Sequence, residues 1–131
     1  MSRILLIEDN PANRRLIGDH LRRAGYEVVA LEAADLGVAR ARDGGIDLVV
    51  MDVQLPGIDG LAATGMLRAD PATRDLPVLA VTAHAMRGDE ARILAAGCDG
   101  YVAKPIDYHE FLAQVARLLA GGRRTRDEAV P

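Results

Sequence analysis

Four places in the chain set a reactive side chain directly after an apolar run. Glu8-Asp9 follows Ile4-Leu5-Leu6-Ile7, Asp52 follows Leu48-Val49-Val50-Met51, Thr82 follows Pro77-Val78-Leu79-Ala80-Val81, and Lys104-Pro105 follows the stretch from Asp99 to Ala103. Taken singly, each has a plain explanation: a solvated loop, an Asx-turn, a serine/threonine-type turn or a surface charge. The recurrence at four strand ends is what calls for a common site. Three carboxylates at close range repel and require a cation. A hard divalent ion, magnesium or manganese, suits oxygen donors, with Asp9 and Asp52 as direct ligands and Glu8 acting through water. Three carboxylates and Lys104 leave two net negative charges, which such an ion neutralises. An aspartate nucleophile can form an aspartyl-phosphate, and phosphoryl transfer needs mainly positioning and cationic stabilisation. Asp52 is then the reactive carboxylate, with Lys104 and the Thr82 hydroxyl serving the incoming oxygens. The single thiol, Cys98, and the three histidines have no zinc-like spacing.

For these groups to meet, the runs must be parallel strands whose carboxyl ends face one crevice. Strands covered on both faces read as continuous apolar runs, and open α/β sheets bind ligands beyond their carboxyl ends. The alternation supports this. A strand at Arg3–Ile7 leads to a helix over Pro11–Ala24, with Asn10 as cap, Pro11 at its first position, Gly25 as its stop, and an apolar face of Leu16, Ile17, Leu21 and Ala24. Arg14, Arg15, Arg22 and Arg23 point outward. A strand at Glu27–Leu31 precedes a helix over Ala33–Arg42, and the third strand spans Asp47–Met51. Asp59 caps a helix carrying Leu61, Met66 and Leu67, followed by a strand at Pro77–Val81. A weakly apolar fourth helix over Arg87–Ala96, with Ile93 and Leu94, is loosely packed and movable. The last strand ends at Ala103, and a helix starting at Asp107 presents Phe111, Val115 and Leu118. Five βα units with right-handed crossovers predict a parallel five-stranded α/β sheet of order 2-1-3-4-5, flavodoxin-like, with helices on both faces. The folded domain spans residues 1–120, and 121–131 forms a flexible tail lacking apolar periodicity.

A chain of 131 residues is one domain's worth. A net charge of -3 and a pI near 5.6 give no basic footprint for nucleic acid. An acidic pair follows the first strand too soon for a leader peptide or a membrane span, and one cysteine fits a reducing, cytoplasmic setting, with Cys98 as buried packing.

The motifs Ile4–Asn10, Val50–Gly60, Val81–Ala85 and Gly97–Pro105 together resemble the receiver domain of bacterial two-component response regulators, over about Arg3 to Ala120. The resemblance implies a signalling switch whose only catalysis is its own phosphorylation and dephosphorylation. Asp52 would accept a phosphoryl group from a histidine kinase or a histidine phosphotransfer protein. Asp9, Asp52 and the Gln54 backbone carbonyl would bind the metal, supported by Glu8, which stands where many receivers carry Asp. Thr82 and Lys104 would bind the phosphoryl group, Lys104-Pro105 would be cis, and Tyr101 would follow Thr82. The switched face would be that of the fourth helix, fifth strand and fifth helix, controlling an effector protein. Gln54 and His84, two residues beyond Asp52 and Thr82, match positions that tune phosphoryl lifetime. His20 and His109 carry no such expectation.

The stretch from Val81 to Glu90 is similar to that of phosphorelay and hybrid-kinase receivers, including stand-alone regulators of the DivK type, and the whole chain resembles a stand-alone regulator of the DivK or CheY type. A stand-alone regulator is expected because Met1 opens almost directly on the first strand. A phosphorylation-dependent homodimer is compatible with it. The rivals are a receiver excised from a hybrid kinase, a phosphorylation-independent pseudo-receiver, and a haloacid-dehalogenase-type phosphatase. The last places its nucleophile after the first strand with a second aspartate two residues later, whereas Asp52 follows the third strand and Gln54 follows it. The helix-one arginines are candidates for docking a kinase helix, or form a solvated face.

Overall fold

The computed structural model describes residues 1–55, 57–83 and 89–121. Strands β1 (Arg3–Ile7), β2 (Glu27–Leu31), β3 (Leu48–Asp52), β4 (Val78–Thr82) and β5 (Gly100–Ala103) alternate with helices α1 (Pro11–Arg23), α2 (Ala34–Arg42), α3 (Gly60–Ala69), α4 (Asp89–Ala95) and α5 (Tyr108–Gly121). All strand pairings are parallel, in the order β2-β1-β3-β4-β5. This is the architecture expected from the apolar runs. Among the described residues no helix is long and apolar enough to cross a membrane.

Because successive strand residues face opposite sides, each run feeds two cores. Leu5, Ile7, Val49, Met51, Val78 and Ala80 pack with Val38, Ala63, Leu67 and Ile93 on one face. Ile4, Leu6, Leu48, Val50, Leu79 and Val81 pack with Ile17, Leu21, Phe111, Val115 and Leu118 on the other. Every residue of β3 and β4 is buried, which explains their lack of polar alternation.

Local chemistry ends the helices where expected. The Asn10 side chain accepts from Asn13 N, Pro11 opens α1, and Gly25 follows its C-cap at φ 98°, a region favouring glycine. The Asp59 side chain accepts from Ala62 N at 2.8 Å, and that of Asp107 from Glu110 N at 3.3 Å. Four apolar assignments need correction: Leu16 of α1, Ala24 at its C-cap, Met66 of α3 and Leu94 of α4 are exposed, leaving Ile17, Leu21, Leu67 and Ile93 as the anchors. A helix of 3.6 residues per turn carries these side chains past the edge of the buried stripe. α5 includes Gly121, one residue beyond the expected boundary, and the remainder of the expected tail lies outside the described residues.

Arg68, unremarked in the sequence, ties the amino-terminal side of the sheet together. Its guanidinium donates to Gly97 O, Arg74 O and Leu76 O and pairs with Asp99 Oδ2 at 2.9 Å, while the same Asp99 oxygen accepts from Val78 N. Its side chain and that of Asp99 are 14% and 13% exposed, against 40% and 48% for the surface pair Arg3–Glu27. Breaking a largely buried pair leaves an uncompensated charge, whereas exposed pairs contribute little. Arg68→Met should lower unfolding free energy by about 3 kcal/mol, and Arg3→Met by less than about 1 kcal/mol, read from urea denaturation midpoints at constant slope.

Candidate functional site

The register brings the strand-end groups into one pocket. Asp52 ends β3 opposite Val81, Thr82 ends β4 opposite Ala103, and Lys104 N donates to Thr82 O at 2.7 Å. Glu8 leaves β1 beside them. Oxygens of Glu8, Asp9 and Asp52 lie within 4.8 Å of one another, a donor set that can hold a hard cation. Lys104 Nζ reaches both Glu8 Oε1 and Asp52 Oδ2 at 3.2 Å. Glu8, Asp52 and Thr82 are buried, whereas Asp9 is exposed at the rim. The Lys104-Pro105 peptide is cis.

Backbone groups hold the acids. Asp52 Oδ1 accepts from Gln54 N at 3.0 Å, and Glu8 Oε2 accepts from Asn10 N at 3.2 Å. Gly60 allows the approach of α3: a Cβ there would collide with the Asp52 carbonyl oxygen and lie 2.9 Å from Val53 Cα. No side chain fits between the start of α3 and the end of β3.

Burial, then the hydrogen bond to Asp52, pushes Glu8 up to about 7, against the opposing bond from Asn10 N. Burial pulls Lys104 down, but the Asp52 and Glu8 carboxylates outweigh it and hold the ammonium above its ordinary value. The ammonium is therefore held in its charged form, while burial favours the protonated form of Glu8.

Tyr101 lies on β5, one strand position before Val102, in a groove of about 580 Å³ between α4 and α5. Glu90 and Glu110 line the same groove, and the charge of Glu90 raises the Tyr101 hydroxyl, with burial adding to it. Gln114 Nε2 donates to Tyr101 O at 3.2 Å. His84 lies outside the described residues, so its expected place two residues beyond Thr82 is not described. Gln54 is exposed, with its backbone N–H on Asp52 Oδ1.

The sequence reading left three features out. Arg14 is half-buried and points inward to the Glu8 and Asp9 carbonyls, correcting its outward placement. Its position four residues after the Asn10 cap, on the same helix face, was the available signal. Glu8 contacts Lys104 directly across the carboxyl ends of β3 and β4, which stand between β1 and β5 in the sheet, a reach that only the tertiary structure could establish. His20 stacks on Tyr108 with ring centroids 3.6 Å apart and an interplanar angle of 11°, joining α1 to α5.

The family model for the response regulator receiver domain matches residues 4–116. The chain belongs to the response-regulator receiver family. Among similar relatives are the polar-differentiation response regulators DivK of Brucella ovis and Brucella anthropi, each 42% identical over 120 residues, spanning 88% of this chain and 94% of the relative. The receiver domain of sensor histidine kinase PA1611 from Pseudomonas aeruginosa PAO1, solved with a magnesium ion coordinated in its active site cleft, is 37% identical with a TM-score of 0.85, covering 91% of this chain and 98% of that one. Response regulator TrrA from Thermotoga maritima, solved in complex with Mg(2+)-BeF, is 30% identical with a TM-score of 0.81, covering 90% and 99%. This chain is thus a DivK-like receiver, a signalling module of two-component systems, and its acid cluster fits the metal chemistry that its donor set implies.

The raised Glu8 value predicts a pH dependence for the metal-free protein. Between 4.5 and about 7 the folded state keeps the Glu8 proton that the unfolded state has lost. Folding stability therefore falls as pH rises through that interval, and the penalty is complete above it. In chelator, wild type should lose about 3 kcal/mol relative to Glu8→Gln between pH 4.5 and 8, measured by paired urea titrations. A parallel pH profile in the two proteins would contradict the assignment.

Proposed function

We propose that this receiver is a phospho-acceptor switch in which Asp52 takes a phosphoryl group from a phosphohistidine on a histidine kinase or histidine phosphotransfer protein. The observation carrying this reading is the convergence of a buried aspartate, two neighbouring acids, a buried threonine and a lysine at the carboxyl ends of four strands.

An Asp52 carboxylate oxygen attacks phosphorus, the phosphorus–nitrogen bond breaks, and the departing imidazole nitrogen keeps the electron pair. The product is a mixed anhydride on Asp52, and water attack at phosphorus restores the carboxylate. The Gln54 N–H to Asp52 Oδ1 bond holds one carboxylate oxygen and so orients the other. Asp9, Asp52 and the Gln54 backbone carbonyl would hold magnesium, or manganese, with Glu8 acting through water. When bound, the ion neutralises charge on the phosphoryl oxygens. Lys104 moves from a carboxylate–carboxylate bridge to the phosphoryl oxygens, and the Thr82 hydroxyl donates to them. Gln54 and His84, two residues beyond Asp52 and Thr82 in the sequence, match positions that tune phosphoryl lifetime.

Drawing Thr82 inward frees space that Tyr101 fills, shifting an existing equilibrium at the α4-β5-α5 face, where an effector protein binds. A cytoplasmic, stand-alone regulator is favoured by the 42% identity to DivK over 94% of that protein's length. Residues 1–121 act as the receiver, with no direct role for nucleic acid or membrane, and phosphorylation-driven homodimerisation is compatible with this scheme.

Incubation of the full chain with magnesium and acetyl phosphate should add one phosphoryl group by intact mass. Asp52→Asn should add none, and Lys104→Met should slow the gain by on the order of a hundredfold, as loss of a preorganised charge stabiliser does. Equal phosphorylation of wild type and Asp52→Asn would overturn the reading.

A further inference from the structure

We propose that Arg14 is a positioning residue for the cation pocket, holding the peptide unit between Glu8 and Asp9 in place from behind. This rests on the reading of Glu8, Asp9 and Asp52 as the cation-holding set. Arg14 Nη1 donates to Glu8 O at 2.9 Å and to Asp9 O at 3.4 Å. Its own N–H donates to Asn10 O at 2.9 Å within the first turn of α1. The guanidinium thus ties the rigid start of α1 to both carbonyls of the acidic pair.

The two acids are otherwise held very differently. Glu8 has its N–H on Leu31 O at 3.0 Å and its carboxylate on Lys104 and Asn10 N. Asp9 is exposed at the pocket rim, so the place of its carboxylate follows from where the backbone puts its Cα. Among the described residues, Arg14 is the side chain that bonds both carbonyls of that backbone, beside the Glu8 carboxylate on Asn10 N. Charge-assisted bonds from a half-buried guanidinium are stronger than neutral ones, and outer groups that orient ligands typically change metal affinity by about 10- to 100-fold when removed. Because Arg14 reaches main-chain oxygens and not the carboxylates, it orders the ligand loop without competing for the ligand atoms.

The role predicts an effect on cation affinity and little on the chemistry once the cation is bound. Magnesium binding to the full chain is measured by calorimetry for wild type, Arg14→Met, Arg14→Lys and Arg15→Met, the last being an exposed neighbour. Arg14→Met should bind magnesium about tenfold more weakly, Arg14→Lys should fall between it and wild type, and Arg15→Met should match wild type. With acetyl phosphate, the half-saturating magnesium concentration of Arg14→Met should rise by the same factor while the rate at saturating magnesium stays within about twofold. Wild-type magnesium affinity in Arg14→Met overturns the proposal. So does a lower maximal rate at unchanged half-saturation, which marks general damage, or a defect confined to phosphohistidine protein donors, which marks docking. If wild type itself binds no magnesium, the cation reading of the pocket fails first; if wild type binds and Arg14→Met binds equally, only the role of Arg14 fails.

Discussion

Holding three carboxylates within 4.8 Å of one another is the constraint around which the molecule is arranged. Like charges at such range disfavour joint ionisation, and this structure meets the problem in two ways. Lys104 places one ammonium between Glu8 and Asp52, and Glu8 keeps its proton to about pH 7. Both responses leave the acids close enough to share a cation. The pocket therefore keeps residual negative charge with one ammonium bridging two of its acids.

The fold supports that pocket by making its surroundings stiff on one side and lighter on the other. β3 and β4 are buried throughout, and Asp52 and Thr82 are their last residues, so both inherit the position of a packed sheet. Gly60 lets α3 sit against the end of β3, and Arg68 locks the opposite end of the same layer to the turn before β5. α4, by contrast, is seven residues long and anchored by Ile93, with Leu94 exposed. Its neighbour Tyr101 sits half-buried beside Glu90. An element with few buried apolar contacts responds most readily to a small change in a stiff site. That difference in packing is consistent with the proposal that the α4-β5-α5 side responds to a change at Asp52.

Much of this was written in local patterns. Continuous apolar runs separated by helical periods fix parallel strands, since only a sheet covered on both faces makes every strand residue apolar, and right-handed crossovers leave few orders for five such units. Asn10, Asp59 and Asp107 were legible as caps because a short side chain reaches its own helix start with no help from the rest of the fold. Glu8, Asp9, Asp52, Thr82 and Lys104 were legible because strand ends in such a sheet converge.

What the sequence determined by itself was therefore anything set by interactions over a few residues or by the period of an element: strand and helix identity and the set of strand-end groups, with the sheet order narrowed to a few choices. Tertiary structure alone decided which of those groups touch. Glu8 bonds Lys104 across 96 positions of chain, Arg14 turns back on the acid loop, His20 stacks on Tyr108, and Leu16, Met66 and Leu94 fall outside the apolar stripes. Each depends on the distance between elements and on the rotation of a helix about its axis, and neither quantity is carried by a period or a motif. Packing fixes both, and packing also sets burial, which moved Glu8 from an ordinary acid to a proton-holding one.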